Sequence, residues 1–200
     1  MAGALRDPRL SDAKLQALAL LRVVQRKVQQ GLPPPRPQLS PEDEALYQRC
    51  RSDRAEFART FFPHICTNDF NTLHLDYYGL QSQRHESRGH PDAVAAPRGS
   101  SKTSGCAVIG ILHDCVYHTE QFILYLTNSA GNAELKVRDM RDELTDNARL
   151  IAVYGHQAGP IWNQGYFTTR SGVTVMAAGR FTQVRGLTKR FVRFTKIVCD

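Results

Sequence analysis

The chain has 200 residues, 42% hydrophobic and 22% charged, which suits one well-buried domain with an appendage rather than two full domains. No run of about 18 apolar residues is present to span a bilayer, and the first residues lack the apolar stretch of a secretory signal, which excludes a membrane-spanning or disulfide-stapled secreted protein. The five cysteines are therefore expected to be reduced and intracellular, while 26 basic against 19 acidic side chains, a formal charge of +7, favours a polyanionic partner such as nucleic acid or nucleotide.

Along the chain, Ser11 and Asp12 cap a helix that carries Leu15, Leu18, Leu21, Val24 and Val28 at spacings of three or four and ends at Gly31. Leu32-Pro33-Pro34-Pro35-Arg36-Pro37 cannot continue it, because proline lacks the amide donor, so residues 1–40 read as a helical arm with a stiff linker. Ser40-Pro41-Glu42-Asp43 restarts a helix that is expected to run to about residue 60. A short helix follows over 72–83, then a polar stretch over 84–91. Ala93-Val94-Ala95-Ala96 reads as a core strand leading through small residues into a helix over 103–117, half of a βαβ unit. Phe122-Ile123-Leu124-Tyr125-Leu126 is the next buried strand, and Asn128 or Ser129 caps a helix with Ala133, Val137, Met140 and Leu144 on one face. Residues 166–169 and 173–177 flank Arg170-Ser171-Gly172 as a hairpin. The basic residues Arg180, Arg185, Lys189, Arg190, Arg193 and Lys196 then occur with no intervening acid, and Ile197-Val198-Cys199-Asp200 closes a strand on a carboxylate. A solvated face that keeps the protein soluble is the alternative reading of that basic run.

The chemistry concentrates at Ala96-Pro97-Arg98-Gly99-Ser100-Ser101-Lys102-Thr103. A phosphate-binding loop needs small residues whose backbone N–H groups curl around phosphate oxygens, a lysine for the β and γ phosphates, and a hydroxyl for Mg²⁺ at the start of a helix. The usual spelling has glycine where this chain has Ala96 and Ser101, so the register of Lys102-Thr103 between strand and helix carries the reading. An ordinary capped strand-to-helix turn is the competing explanation. Asp200, at the end of another strand, is the carboxylate such a site places opposite the threonine hydroxyl. His64, Cys66, His74, His85 and His90 follow no paired zinc-ligand spacing, and Cys106 and Cys115 read as packing residues.

Taken together with Tyr125-Leu126-Thr127-Asn128-Ser129, with Arg141-Asp142-Glu143-Leu144 and Asn147-Ala148-Arg149-Leu150 at the end of the 129–144 helix, with Trp162, and with Gly179-Arg180-Phe181-Thr182-Gln183-Val184-Arg185-Gly186-Leu187, the altered loop resembles the ATPase domain of the large terminase subunit of tailed bacteriophages and prophages. That family often writes its loop Ala-Pro-Arg-Gly-x-x-Lys-Ser/Thr. The likeness covers about residues 55–200 and rests on the order and spacing of the motifs.

The resemblance implies an α/β P-loop NTPase fold, a mostly parallel sheet flanked by helices, over residues 41–200. It implies an ATP-driven motor that moves double-stranded DNA into a procapsid, acting in the cytoplasm of the bacterial host. Its partners would be the small terminase subunit and the portal protein or procapsid, with no membrane, and its packaging form a homo-oligomeric ring. Lys102 would hold the β and γ phosphates, Thr103 and Asp200 the Mg²⁺, and Arg98 the γ phosphate, with Arg185 a second arginine for sensing or for catalysis across a subunit interface. The adenine pocket would fall within 70–81, where Tyr77, Tyr78 and Gln81 are available. The family's downstream glutamate and nuclease are not in this sequence, so the ATPase domain is expected to be incomplete and nucleotide binding to outlast turnover. A non-enzymatic basic module for nucleic-acid binding or assembly, and a helicase-like ATPase on the same fold, are the alternatives.

Overall fold

The computed structural model describes residues 37–83, 93–188 and 192–200. The expected arm helix over 11–31, the linker as far as residue 36, the polar stretch over 84–91, and Lys189 and Arg190 lie outside them.

Ser40 starts the first helix, α1 (Pro41–Ser52), as its sequence requires: the hydroxyl accepts from the Asp43 amide at 3.1 Å, and Pro41 occupies the first turn. The expected single helix to residue 60 is instead two. Asp53 turns its carboxylate onto the Glu56 amide at 2.9 Å and caps α2 (Arg54–Phe61), because a short polar side chain offers the backbone a bond that competes with continuing the helix. A third helix, α3, spans Thr72–Gln83. The expected helix over 103–117 opens as a π-helix, Lys102–Val108, and tightens into α4 (Ile109–Tyr117). The strand β1 (Phe122–Thr127) leads to α5 (Ala130–Asp146), capped by Ser129, whose hydroxyl accepts from the Asn132 amide. Ala133, Val137, Met140 and Leu144 are all fully buried, as their spacing predicts. The helix ends at Asn147, as expected, with the Asn147 amide donating to the Glu143 carbonyl at 3.2 Å, but Ala148-Arg149-Leu150 then continues as helix. Asn147 caps a new one, α6 (Ala148–Tyr154), and its amide also donates to the Phe61 carbonyl at 2.7 Å.

Four further strands complete a mixed sheet: β2 (Ala158–Trp162), β3 (Tyr166–Thr169), β4 (Thr174–Gly179) and β5 (Lys196–Cys199). Their order is β2-β3-β4-β1-β5, with β4, β1 and β5 parallel and β2, β3 and β4 antiparallel. The chain is thus α/β. Central β1 is paired on both sides and almost wholly buried, which explains its unbroken apolar run. The β3–β4 hairpin turns at Gly172, whose φ of 98° favours glycine. The sequence reading has no β2, because Gly159 and Pro160 speak against a strand. Both fit an irregular edge: the register shifts between Ala158 and Ile161, and a Cβ on Gly159 would lie 2.1 Å from the Thr168 carbonyl oxygen.

Ala93-Val94-Ala95-Ala96 is not a strand. It makes no sheet pairing, and Ala93 and Ala95 are exposed, so the expected strand-loop-helix half of a βαβ unit is only loop and helix. The four residues are too short and too small to hold an edge by burial alone.

Helices α1, α2, α4 and α6 meet in an aromatic cluster of Tyr47, Phe57, Phe61, Tyr117 and Tyr154, with ring centroids 4.9 to 6.2 Å apart. The Tyr117 hydroxyl donates to the Tyr47 carbonyl at 2.7 Å and lies 2.6 Å from the Tyr154 hydroxyl, so the polar tips are satisfied. Beside them His113 lies 3.0 Å from the Cys50 carbonyl through Nε2, which makes Nε2 the protonated nitrogen, and its buried Nδ1 has no partner. Burial and the neighbouring Arg54 push this imidazole down to about 3.

The unfolded chain binds a proton at this histidine near pH 6.5 and the folded chain does not, so stability falls as pH falls from about 6.5 toward 3. Urea unfolding at about pH 7.5 and pH 4.5 is expected to show a lower midpoint in acid. His113→Gln, which keeps a donor for Cys50 but cannot titrate, is expected to flatten that difference; an equal difference in both proteins would refute the assignment. All five cysteines are free thiols. Among the described residues no helix is long and apolar enough to cross a membrane.

Candidate functional site

The parallel strands β1 and β5 end side by side, and the Asp200 amide donates to the Leu126 carbonyl at 2.9 Å. Chain order reverses across β1: the connection through α5 leads to β4 on one side, and β5 returns on the other. In α/β sheets the crevice beyond the carboxyl ends at such a reversal is where ligands collect. Asp200 stands there, and the loop at 96–103 comes to it.

The loop owes its shape to two left-handed residues, Gly99 at φ 83° and Ser101 at φ 51°. Ser101 occupies the position that glycine takes in the usual phosphate loop, and it adopts the conformation that makes glycine the usual choice. The π-helix begins directly after it, with the Gly105 amide donating to the Ser101 carbonyl at 2.7 Å. Such widened turns recur at functional sites. Lys102 turns back on the loop, its Nζ donating to the carbonyls of Ala96 at 3.1 Å and Pro97 at 3.3 Å. The Ser100 hydroxyl closes the crown on the Pro97 carbonyl at 2.8 Å.

The contact that joins loop to sheet is between Thr103 and Asp200. The Thr103 hydroxyl donates to Asp200 Oδ1 at 2.7 Å across 97 positions of sequence, and the Tyr125 hydroxyl donates to Oδ2 at 3.0 Å. Burial, and the Asp200 carboxylate beside it, raise the Tyr125 phenol well above its ordinary range and keep it a donor. Tyr125, on β1, joins the candidate site through this bond; the sequence reading has it in a buried strand and in a segment of the resemblance, with no role at the site.

On the other flank of Asp200 a slot is lined by Tyr77, Leu80 and Gln81 of α3, by Val94, Lys102 and Ala107, and by the outer edge of β5. Gln81 is only 6% exposed and its Oε1 has no hydrogen-bond partner. Its amide fills the space where a side chain on Gly110 would stand, since a Cβ there would lie 2.4 Å from Oε1. Tyr77 and Gln81, two of the three residues the sequence reading offers for a base, thus line this slot. Tyr78 does not: it is 3% exposed, and its hydroxyl is spent on the Gly105 carbonyl.

The two arginines fare differently from the loop. Arg98 is exposed in the turn at the loop's crown. Arg185 lies exposed in the turn of residues 184–187, and among the described residues no hydrogen bond or ion pair joins it to the loop or to Asp200. An arginine that the sequence reading missed, Arg138 on α5, lines a cavity of about 480 Å³ together with Thr127, Asn128, Asn132 and Asp200. No motif marks it; only the packing of α5 on the sheet brings it there.

Lys196 is also placed unexpectedly. Instead of joining a basic face it is 8% exposed, and its Nζ lies 2.5 Å from Asp114 Oδ2. Arg54 reaches the other oxygen at 2.7 Å and Thr119 donates to the same carboxylate at 2.7 Å. Burial alone would raise the Asp114 carboxyl, but Lys196 and Arg54 hold it well below the usual carboxylate range. This buried triad ties α2, α4 and the first residue of β5 together, and so sets where β5 delivers Asp200.

Comparison with protein-family models, with curated proteins and with solved structures found no match to this chain.

Proposed function

We propose that the chain binds Mg-ATP at the 96–103 loop and serves as the ATPase part of a DNA-packaging motor of the large-terminase type. The observation that carries the nucleotide reading is the 2.7 Å contact between Thr103 and Asp200, which unites a loop-borne hydroxyl with a strand-borne carboxylate. Among the described residues no group of three or more histidine, cysteine or acidic side chains gathers. A threonine hydroxyl and one carboxylate are hard oxygen donors that suit Mg²⁺, a cation that takes its remaining ligands from water and phosphate. When bound, Mg²⁺ neutralises charge developing on the phosphoryl oxygens.

In this reading Lys102 exchanges its loop carbonyls for the β and γ phosphates. Arg98, exposed on the crown, is the arginine that meets the γ phosphate as charge builds in the transition state. The slot lined by Tyr77, Leu80 and Gln81 is where this reading puts the adenine, with the Tyr77 ring beside it. Arg180, Arg185 and Arg193 remain exposed and provide charge toward double-stranded DNA, whereas Lys196 is committed to the interior.

The test is thermal unfolding with Mg²⁺ and a non-hydrolysable ATP analogue, beside Lys102→Ala. A ligand at 100 times its Kd stabilises the native state by about 2.7 kcal/mol. The native sequence is expected to shift and the variant to lose most of the shift. Equal shifts, or none in either, would overturn the reading in favour of a basic binding or assembly module whose loop only has the form of a phosphate site.

A further inference from the structure

Helix α3 braces the loop along one stripe. His74, Tyr78 and Gln81 fall on one face of α3, and they meet Ser100, Gly105 and Gly110 in turn as the loop becomes π-helix and then α4. The first of these contacts has a determinate chemistry. Asn71 and His74 form a reciprocal cap at the start of α3: Asn71 Oδ1 accepts from the His74 amide at 3.2 Å, and His74 Nδ1 accepts from the Asn71 amide at 3.3 Å. This is a capping box with histidine where glutamate or glutamine is usual. An Nδ1 that accepts must be unprotonated, so in the neutral ring the proton sits on Nε2. Nε2 lies 2.8 Å from the Ser100 carbonyl oxygen and donates to it.

A trans peptide is planar, with its carbonyl and the following N–H pointing in opposite directions. Holding the Ser100 carbonyl toward α3 therefore points the Ser101 N–H away from α3. Ser101 is the left-handed residue immediately before Lys102, where a phosphate loop needs its amides turned toward the anion. The ring has little freedom, because the capping box fixes one nitrogen and the Phe70 ring packs against it with centroids 5.6 Å apart.

We propose that His74 is a positioning residue for the phosphate loop: through its Nε2–H it fixes the peptide between Ser100 and Ser101 so that the Ser101 amide serves the phosphate. The proposal rests on the nucleotide reading above. It also assigns a task to a histidine that spacing alone marks only as a failed metal ligand.

The experiment compares His74→Gln with His74→Met. The two replacements have nearly the same shape, but only glutamine carries a donor near the place of Nε2. Affinity for Mg²⁺ with the non-hydrolysable ATP analogue is measured by calorimetry, and the nucleotide-free melting temperature is measured in parallel. An amide hydrogen bond to a charged phosphate contributes enough that its loss weakens binding about tenfold or more. His74→Met is expected to show that loss and His74→Gln to remain within about twofold of the native protein, with the nucleotide-free melting temperature of His74→Met lowered slightly by loss of the cap's acceptor, which glutamine keeps. Equal affinity in all three proteins would overturn the proposal. Equal weakening in both variants would overturn it as well, because packing and not the donor would then matter. If the native protein shows no Lys102-dependent binding, the nucleotide reading itself falls and the positioning role falls with it.

Discussion

Asp114→Ala is expected to destabilise the fold by about 3–5 kcal/mol, the range for removing one partner of a buried ion pair. The cost does not come mainly from lost attraction. It comes from Arg54 and Lys196, 4% and 8% exposed, which would be left charged in the interior with only the Gly110 carbonyl, 3.1 Å from Arg54, as a further acceptor. Against a total stability of roughly 5–15 kcal/mol for a domain, that loss removes a large fraction of the margin. The exposed pair of Arg49 and Glu56 is the internal control. It is nearly as close, at 2.9 Å, but stands at the surface, so Glu56→Gln is expected to cost far less. Urea unfolding of the two variants measures both costs. A cost for Asp114→Ala as small as for Glu56→Gln would show that the triad is not the anchor of β5 that its geometry describes.

The second large effect concerns Asp200. If this carboxylate helps to hold Mg²⁺, Asp200→Asn is expected to remove most of the extra thermal stabilisation that Mg²⁺ adds to a bound nucleotide, while leaving stabilisation by nucleotide in EDTA unchanged. Asparagine keeps one oxygen to accept from one of the two hydroxyls and offers its amide N–H to the other, which then accepts instead of donating, so the side chain stays seated while the charge is lost. The anion, not the contact, is then what is tested. An undiminished Mg²⁺ increment would remove Asp200 from the cation site. Loss of nucleotide binding with and without Mg²⁺ would instead assign it a structural part in shaping the loop.

Much of the local architecture was legible in the residues. Ser40-Pro41, Ser129 and the stripe of Ala133, Val137, Met140 and Leu144 state their helix starts and buried face in the spelling, because caps and helical periodicity depend on near neighbours. The hairpin at Gly172 and the apolar run of β1 were readable for the same reason. The breaks at Asp53 and Asn147 were also written locally, as good capping residues inside an otherwise helical stretch. The break at Asp53 and the new helix after Asn147 were missed because a polar residue on a helix surface and one that starts a new helix look alike until the neighbouring fold selects between them.

Of the candidate site, the loop and its terminal acid were visible as types of residue at plausible places. The left-handed geometry at Ser101 was not, since serine in sequence does not announce a conformation that glycine usually takes. By itself, then, the sequence determined most of the helix starts, the buried face of α5 and where the central strand lies, and it singled out Lys102, Thr103 and Asp200 as candidate residues. Only the tertiary structure decided that Ala93-Val94-Ala95-Ala96 joins no sheet, that Lys196 turns inward to Asp114, and that Tyr78 is spent on the loop's backbone while His74 braces it. Those outcomes depend on contacts between residues far apart in the chain, where burial and pairing of charge outweigh any preference a single residue carries.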